Sequence, residues 1–216
     1  MISLESRVYP LPSPVYDQHP PQELRSVYAT VGKRVFDLTV TVLLTVFVFA
    51  WLVPIIALAI VLTSPGPVVF AQLRTGRKGR PFRCLKFRTT VVASRPGFRS
   101  EPQLTTVGQW LQATHLDKLP HFFNVLIGDM SLVGPRPHTL QEDAQHWTQP
   151  GYQDRHRVRP GITGLAQTRT RLADRPGRMQ RQHGIRYDRW YAAHASLVLD
   201  FTIGWWALAG SRRARR

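Results

Sequence analysis

Cysteine and acidic residues are scarce in this chain of 216 residues. The single cysteine, Cys84, excludes an internal disulfide and any cysteine-rich zinc or iron–sulfur site. Asp and Glu number 13 against 29 Lys and Arg, so the formal net charge is +16. This charge is typical of proteins that bind nucleic acid, an anionic membrane face or phosphate-bearing substrates, and composition alone does not choose among them. The apolar content of 43% excludes a wholly disordered chain.

Charge is missing altogether from one long stretch of the chain. No acidic residue lies between Asp37 and Glu101, and residues 38–73 carry no charge of either sign. The apolar core of this stretch, residues 40–61, is long enough as a helix to cross a hydrocarbon layer of about 30 Å. It begins too late and runs too long for a signal peptide. The stretch therefore predicts a membrane helix, and it argues against a nucleic-acid binder.

Basic residues flank this apolar stretch on both sides. Lys33 and Arg34 precede it and a cluster that begins at Arg74 follows it, and both flanks favour the cytoplasmic side. Pro54 lies inside the stretch, where it removes a helical hydrogen bond and crowds the preceding turn. We therefore predict a re-entrant helix over residues 29–63 that is broken at Pro54 and has both ends on the cytoplasmic face. A straight span with an unusual flank is the alternative.

The rest of the sequence predicts an α/β fold that is mainly helical. Residues 1–28 are rich in proline and predict a flexible arm. Two strand-like runs, residues 68–73 and 82–87, are joined by a Gly- and Arg-rich segment and predict a β-hairpin. We expect residues 64–216 to form one compact globular part. Residues 195–210, with Asp200 in their middle and a basic tail behind them, predict a helix that lies at the membrane interface or packs on this part.

Asp117 stands just ahead of an apolar helical run that Gly128 can end. As a helix N-cap, its carboxylate would accept a hydrogen bond from a first-turn N–H group. A carboxylate at a helix start is also ionised beside N–H groups that can hold a phosphate, which makes it a possible nucleophile. The residues alone leave both interpretations open.

Six motifs in order make the chain resemble the bacterial sugar transferases, which are monotopic polyprenyl-phosphate phosphoglycosyl transferases. They are KRVFD at 33–37, SPGP at 64–67, KFRT at 86–89, LDKLP at 116–120, GDMSLVGPRP at 128–137 and RPGITGLAQ at 159–167. The resemblance implies a re-entrant helix and a compact α/β part on the cytoplasmic face of the bacterial inner membrane. It also implies that Asp117 attacks the β-phosphate of a UDP-sugar and passes the phosphosugar to undecaprenyl phosphate. Mg²⁺, held at Asp117, would assist this first step of exopolysaccharide or lipopolysaccharide synthesis.

Several basic residues gain candidate roles from these motifs. Arg136, between two prolines, suits bidentate phosphate contact, although a surface arginine after a turn would look the same. Lys86 and Arg88, two apart on a strand, would face one side and bind either diphosphate or lipid headgroups. Arg159 and Gly164 belong to a Gly-rich segment that either approaches the substrate or forms a structural turn.

The chain departs from the family pattern at two positions near Asp117. Lys118 stands where the family has glutamate, and Gln112 stands where it usually has arginine. Lys118 either neutralises the donor phosphate directly, as a catalytic residue beside Asp117, or repels the metal. The second case would leave a catalytically impaired scaffold that binds lipid phosphate. Residues 168–182 also lack residues common in the family, so the sugar is not predicted. His115 and His121 have no metal-ligand spacing, and we expect neither to take part.

Overall fold

The computed structural model describes residues 28–91, 103–172 and 178–213. The predicted N-terminal arm, except for its last residue, and the end of the basic tail lie outside the described residues. So does part of the segment 168–182, in which the family pattern is missing.

The described chain is mainly helical, as predicted, with six short strands. Eight α-helices occur in it: α1 Lys33–Leu44, α2 Ala50–Thr63, α3 Thr106–Thr114, α4 His121–Ile127, α5 Leu140–His146, α6 Leu165–Leu172, α7 Arg178–His194 and α8 Leu197–Arg213. The strands are β1 Val69–Thr75, β2 Pro81–Phe87, β3 Thr90–Val91, β4 Gln103–Leu104, β5 Ser131–Val133 and β6 Gly161–Thr163. They pair as β1–β2, β3–β4 and β5–β6. The antiparallel β1–β2 pair confirms the predicted hairpin, whereas β5 and β6 are parallel.

The apolar stretch forms one helical run of 31 residues, Lys33–Thr63, which is long and apolar enough to cross a membrane. It consists of α1, a π-helical turn at Thr45–Phe49, and α2. The helix is not interrupted at Pro54, which lies inside α2, so the predicted break at this residue is wrong. The irregular turn comes just before Ala50, the residue whose carbonyl the proline ring crowds. Local π-helical adjustment satisfies the backbone around a proline, which lets the helix continue.

Both ends of this helical run contact the globular part of the chain. At the start, the Lys33 ammonium lies 2.6 Å from an Asp200 carboxylate oxygen on α8, and both side chains are buried. Near the other end, Ile56 and Ile60 pack in one cluster with Phe87 and Leu111. The helix therefore lies along the globular part rather than standing away from it.

The remaining face of the helical run is apolar and exposed. Between its two anchored ends, the exposed large side chains are Val35, Val42, Leu43, Val46, Phe47, Trp51, Ile55, Leu58, Val61 and Leu62. A soluble monomer rarely exposes a continuous apolar surface of this extent, which marks a membrane or protein contact.

The two basic residues that begin the helix make internal contacts. Lys33 pairs with Asp200, and Arg34 donates hydrogen bonds to the carbonyls of Val125 and Leu126 at 2.6 and 2.9 Å. Those carbonyls belong to the last turn of α4, where a positive charge is favourable. Neither cation is therefore available as the flanking charge that the sequence suggested.

The C-terminal helix α8 packs on the globular part through one face. Asp200 and Ile203 are fully buried, and Ile203 belongs to a cluster with Val133 and Tyr191. The other face exposes apolar side chains, namely Leu197, Val198, Phe201, Trp205 and Leu208. The helix α8 therefore packs on the globular part. Its exposed apolar face is compatible with the predicted position at the membrane interface as well.

Two of the Gly-rich motifs meet at the β5–β6 pair. The Gly134 N–H donates to the Thr163 carbonyl at 2.9 Å, and the Gly161 N–H donates to the Pro135 carbonyl at 2.9 Å. A Cβ atom at Gly164 would lie only 2.1 Å from the carbonyl oxygen of Gly134. Glycine is required here because two backbone segments touch.

Candidate functional site

A cavity of about 260 Å³ opens between β2, the start of α4 and the segment after β5. Four basic side chains line it: Arg74, Lys86, Lys118 and Arg136. None of the described residues that line the cavity is an aspartate or a glutamate. A concave site with this charge attracts anions, and guanidinium and ammonium groups suit phosphate oxygens in particular.

Asp117 lies in a short 3₁₀ turn, Leu116–Lys118, rather than at the start of α4. The residue that caps α4 is Pro120, which offers no side-chain hydrogen bond, so the N-cap interpretation of Asp117 is wrong. Proline starts a helix readily because its φ is already near the helical value and it lacks an N–H group. The turn follows directly on His115, whose left-handed backbone (φ 60°) ends α3. Asp117 is thus oriented by a turn between two helices.

Asp117 is next to the cavity along the chain, although it is not itself a lining residue. The residue that follows it, Lys118, and the residue four positions after Asp117, His121, both line the cavity. Asp117 itself is only 9% exposed, and its Oδ1 atom has no hydrogen-bond partner among the described residues. Its charge acts on Lys86, where it favours the protonated ammonium. A buried carboxylate oxygen without a partner is costly for folding, which is expected where a group is kept for function.

The environment of Lys86 lowers the pKa of its ammonium. Burial lowers the pKa of its ammonium below the ordinary lysine value, and the charges of Arg74 and Arg136 lower it further. Asp117 and Cys84 oppose this shift but do not cancel it. Lys86 therefore loses its charge at a lower pH than a surface lysine does.

This shift predicts an alkaline limit on anion binding. If Lys86 binds the donor phosphate, kcat/KM for the donor falls as the pH rises through the lowered pKa that Lys86 has in the free enzyme. In Lys86→Arg the charge persists, since a guanidinium stays protonated at these pH values, and the alkaline limb moves to higher pH. A pH profile of UMP release for both proteins measures this. An unchanged limb in the arginine variant would show that another group titrates.

Arg136 is held in the cavity wall by two buried arginines. Arg155 donates to the Arg136 carbonyl at 2.7 Å, and Arg74 donates to the carbonyl of the next residue, Pro137, at 2.5 Å. Arg155 is in turn paired with the buried Asp188 at 2.8 Å. These contacts fix the main chain on both sides of the Arg136 side chain, which is exposed.

The sequence did not single out Arg74, Arg155 or Asp188. Arg74 had been noted only as a flanking charge, Asp188 only as part of a C-terminal stretch that resembles the family, and Arg155 not at all. Arg155 and Asp188 are 33 residues apart, so no local pattern connects them. A carboxylate that pairs with a buried arginine is visible only once α7 is packed against the turn that carries Arg155.

His121, to which the sequence assigned no role, is part of the cavity wall. Its Nε2 atom lies 3.2 Å from the Cys84 sulfur, and both residues line the cavity. Burial and the nearby cations Lys86, Lys118 and Arg74 lower the pKa of His121 to about 3. Burial raises the pKa of the Cys84 thiol. At neutral pH we therefore assign a neutral imidazole whose Nε2 atom accepts a hydrogen bond from the thiol.

Arg88 does not reach the cavity. In place of the predicted phosphate contact, its guanidinium donates to the Ser64 carbonyl at 2.6 Å and to the Ser64 hydroxyl at 2.8 Å. It thus ties the end of α2 to the end of β2. Gln112, which replaces the family arginine, donates to the Thr89 hydroxyl at 2.9 Å and likewise does not line the cavity.

Arg159 and Gly164 also lie outside the described cavity lining. Arg159 donates from Nε to the Gly128 carbonyl at 2.8 Å, next to the last turn of α4. Gly164 makes the close backbone approach at the β5–β6 pair. The structure thus brings Lys86, Lys118 and Arg136 together beside Asp117, and it does not bring Arg88, Arg159 or Gly164 there.

The residues of this site do not fit a dedicated Mg²⁺ centre. Mg²⁺ takes six oxygen ligands and is usually bound by one or two carboxylates together with substrate phosphates. Within the described ranges, no three His, Cys, Asp or Glu residues come together in a way that could hold a metal. The cavity next to Asp117 is lined by four cationic side chains, which would repel a divalent cation.

A cationic cavity, a buried carboxylate beside it and an apolar helix of membrane-spanning length define a class of protein. They are the features of a membrane-associated protein that acts on a phosphorylated substrate. The sequence model described as bacterial sugar transferase matches residues 28–211, and the chain belongs to this family.

Named relatives include two glucose-1-phosphate transferases and an exopolysaccharide protein. The UDP-glucose:undecaprenyl-phosphate glucose-1-phosphate transferase of Klebsiella pneumoniae is 39% identical over 179 residues, which is 80% of this chain and 38% of the relative. The Caulobacter vibrioides protein of the same name is 45% identical over 152 residues, which is 68% of this chain and 57% of the relative. The exopolysaccharide production protein PSS of Rhizobium leguminosarum bv. phaseoli is 37% identical over 185 residues, which is 80% of this chain and 91% of the relative. The chain thus spans less than two thirds of the first two.

Proposed function

We propose that this protein transfers a phosphosugar from a UDP-sugar to undecaprenyl phosphate, the first step in building an exopolysaccharide or related glycan. Membership in the bacterial sugar transferase family and the names of the relatives support this class of reaction. The observation that carries the proposal for this chain is the cavity in which Lys86, Lys118 and Arg136 meet next to Asp117.

The proposed first step uses Asp117 as the nucleophile. An Asp117 carboxylate oxygen attacks the β-phosphorus of the donor and forms a P–O bond to the phosphosugar. The bond from that phosphorus to the bridging oxygen breaks, and its electron pair leaves with UMP. The cavity cations neutralise the charge that spreads over the phosphoryl oxygens, which is the main catalytic contribution in phosphoryl transfer.

In the second step, a phosphate oxygen of undecaprenyl phosphate attacks the same phosphorus. The bond between phosphorus and Asp117 breaks, so the carboxylate is regenerated and the lipid carries a diphosphate-linked sugar. No proton donor is needed at the leaving carboxylate, because an aspartate is a weak base at neutral pH. His121, neutral at this pH, offers a hydrogen-bonding group in the cavity wall without adding charge.

The lipid acceptor requires the cavity to lie near the membrane, and we propose a re-entrant position for the helical run Lys33–Thr63. The contacts of both its ends with one globular part support this, because a straight span would carry one end to the far side of the membrane. The exposed apolar faces of this run and of α8 would enter the bilayer. The cytoplasmic face of the bacterial inner membrane then follows from the soluble donor.

A non-catalytic scaffold that binds lipid phosphate is the second candidate. Lys118, in place of an acidic residue beside Asp117, is the observation that favours it. Such a protein would keep the cationic cavity and the membrane contacts but would not turn over the donor.

The transferase and the scaffold are distinguished by whether radiolabel passes from the donor to the lipid. Membranes that contain the protein are supplied with UDP-[¹⁴C]glucose and other labelled UDP-sugars, each with and without added undecaprenyl phosphate. We expect label in the lipid fraction that rises with the acceptor, together with one equivalent of UMP. Binding of undecaprenyl phosphate without UMP release from any donor would contradict the transferase and leave the scaffold.

A further inference from the structure

The charge of the cavity bears on how the donor diphosphate is neutralised. Phosphoryl transfer usually relies on a divalent cation that bridges phosphate oxygens. In this chain the cavity wall already supplies four positive charges, from Arg74, Lys86, Lys118 and Arg136. The diphosphate of a UDP-sugar carries two negative charges, so the protein alone can offset them.

Lys118 is the cavity cation that lies next to Asp117 in the chain. It follows Asp117 directly in the 3₁₀ turn, and its side chain lines the cavity that Asp117 adjoins. Its charge also acts on His121 and contributes to keeping that imidazole neutral. An ammonium in this position can contact phosphate oxygens of a donor that Asp117 attacks, and it excludes a second cation from the same space.

We propose that Lys118 replaces the divalent cation in this protein, so that donor binding and formation of the phosphosugar–Asp117 bond need no Mg²⁺. The inference rests on the proposed function. Lys118 and Arg136 hold the phosphoryl oxygens while the P–O bond to Asp117 forms. The bond to the bridging oxygen breaks toward UMP, whose new negative charge stays next to the cavity cations.

Binding of UDP tests this without turnover. The full chain in lipid nanodiscs is titrated with UDP by calorimetry, once with Mg²⁺ in excess and once with EDTA in excess. We expect the dissociation constant of the wild-type protein to differ by less than about twofold between the two conditions. In Lys118→Glu we expect binding to weaken about tenfold or more in EDTA and to recover with Mg²⁺, because a carboxylate can hold the metal.

Arg186→Glu is the matched control, since it makes the same change of charge at an exposed position of α7. We expect its UDP affinity to match that of the wild type in both conditions. Thermal melting of each variant shows that it is folded. A wild-type affinity that falls about tenfold in EDTA would overturn the inference, as would a Lys118→Glu protein that binds UDP equally well without metal.

UMP release, measured in the same two conditions, separates this inference from the proposed function. Release in EDTA at a rate within about twofold of that in Mg²⁺ supports both. Release only with Mg²⁺ keeps the transferase and overturns the metal-free step. UDP binding that does not need metal, without UMP release in either condition, would contradict both the transferase activity and metal-free formation of the bond to Asp117. Only the cationic binding site would then be supported. Absence of UDP binding overturns both.

Discussion

Replacing Asp117 by asparagine is expected to lower UMP release from the UDP-sugar donor by about 10³-fold or more. An amide of the same shape cannot form the phosphoryl bond, and removal of a nucleophile costs this much or more in enzymes that form covalent intermediates. The buried Oδ1 of Asp117 has no hydrogen-bond partner in the described part of the chain, so the substitution breaks no hydrogen bond at this atom. Steady-state UMP release with saturating donor and acceptor measures the effect.

Asp154→Asn controls for the loss of one negative charge. Asp154 forms surface ion pairs with Arg157 and Arg189, away from the described cavity lining, and we expect its variant to keep wild-type activity. A donor-binding measurement on Asp117→Asn then shows that the cavity is intact. Residual activity within about tenfold of wild type would rule out Asp117 as the nucleophile.

Replacing Gly164 by alanine is expected to destabilise the protein by about 3 kcal/mol or more. The added Cβ atom would lie 2.1 Å from the Gly134 carbonyl oxygen, a backbone atom that cannot move without separating β5 from β6. Overpacking of a tight interior typically costs 1–3 kcal/mol, and a clash with backbone exceeds that range. For a chain of about 200 residues this lowers the apparent melting temperature by about 6–12 °C.

Gly184→Ala is the matched control within a helix. A Cβ atom at Gly184, in α7, would have no neighbour within 4 Å. Alanine is the better helix former, so this variant should be as stable as wild type or more stable by up to about 1 kcal/mol. Thermal unfolding of both variants in the same detergent makes the comparison. Equal melting temperatures would show that the backbone at the β5–β6 pair can shift to accommodate the added Cβ atom.

Local sequence patterns were sufficient for several elements of the fold. The hairpin of β1 and β2 follows from two strand-like runs around a Gly-rich joint, and α4 ends at Gly128 in the left-handed conformation, as predicted. The apolar helical run follows from length and composition. These features depend on near neighbours in the chain, for which sequence patterns carry the information.

The predictions for Pro54 and Asp117 were wrong because two local rules competed at each position. Proline in a helix predicts a break, yet Pro54 lies inside α2 because the π-helical turn before it accommodates the ring. Asp117 has the composition of an N-cap, yet Pro120 starts α4, which leaves the Asp117 carboxylate free of that role. In both cases the chain offered two local solutions, and a nearby local feature, the π-helical turn or Pro120, decided between them.

The sequence by itself determined the family, the apolar helix, the excess of positive charge and the candidate residues Asp117, Lys118, Lys86 and Arg136. Only the tertiary structure decided which cations share a cavity. In the folded chain, Lys86 and Arg136 lie beside the turn of Asp117. Arg88 and Arg159 instead donate hydrogen bonds to backbone carbonyls elsewhere. The physical reason is that every arginine and lysine carries the same charge in a sequence. Which of them binds an anion and which caps a helix end depends on groups that are distant along the chain and meet only after folding.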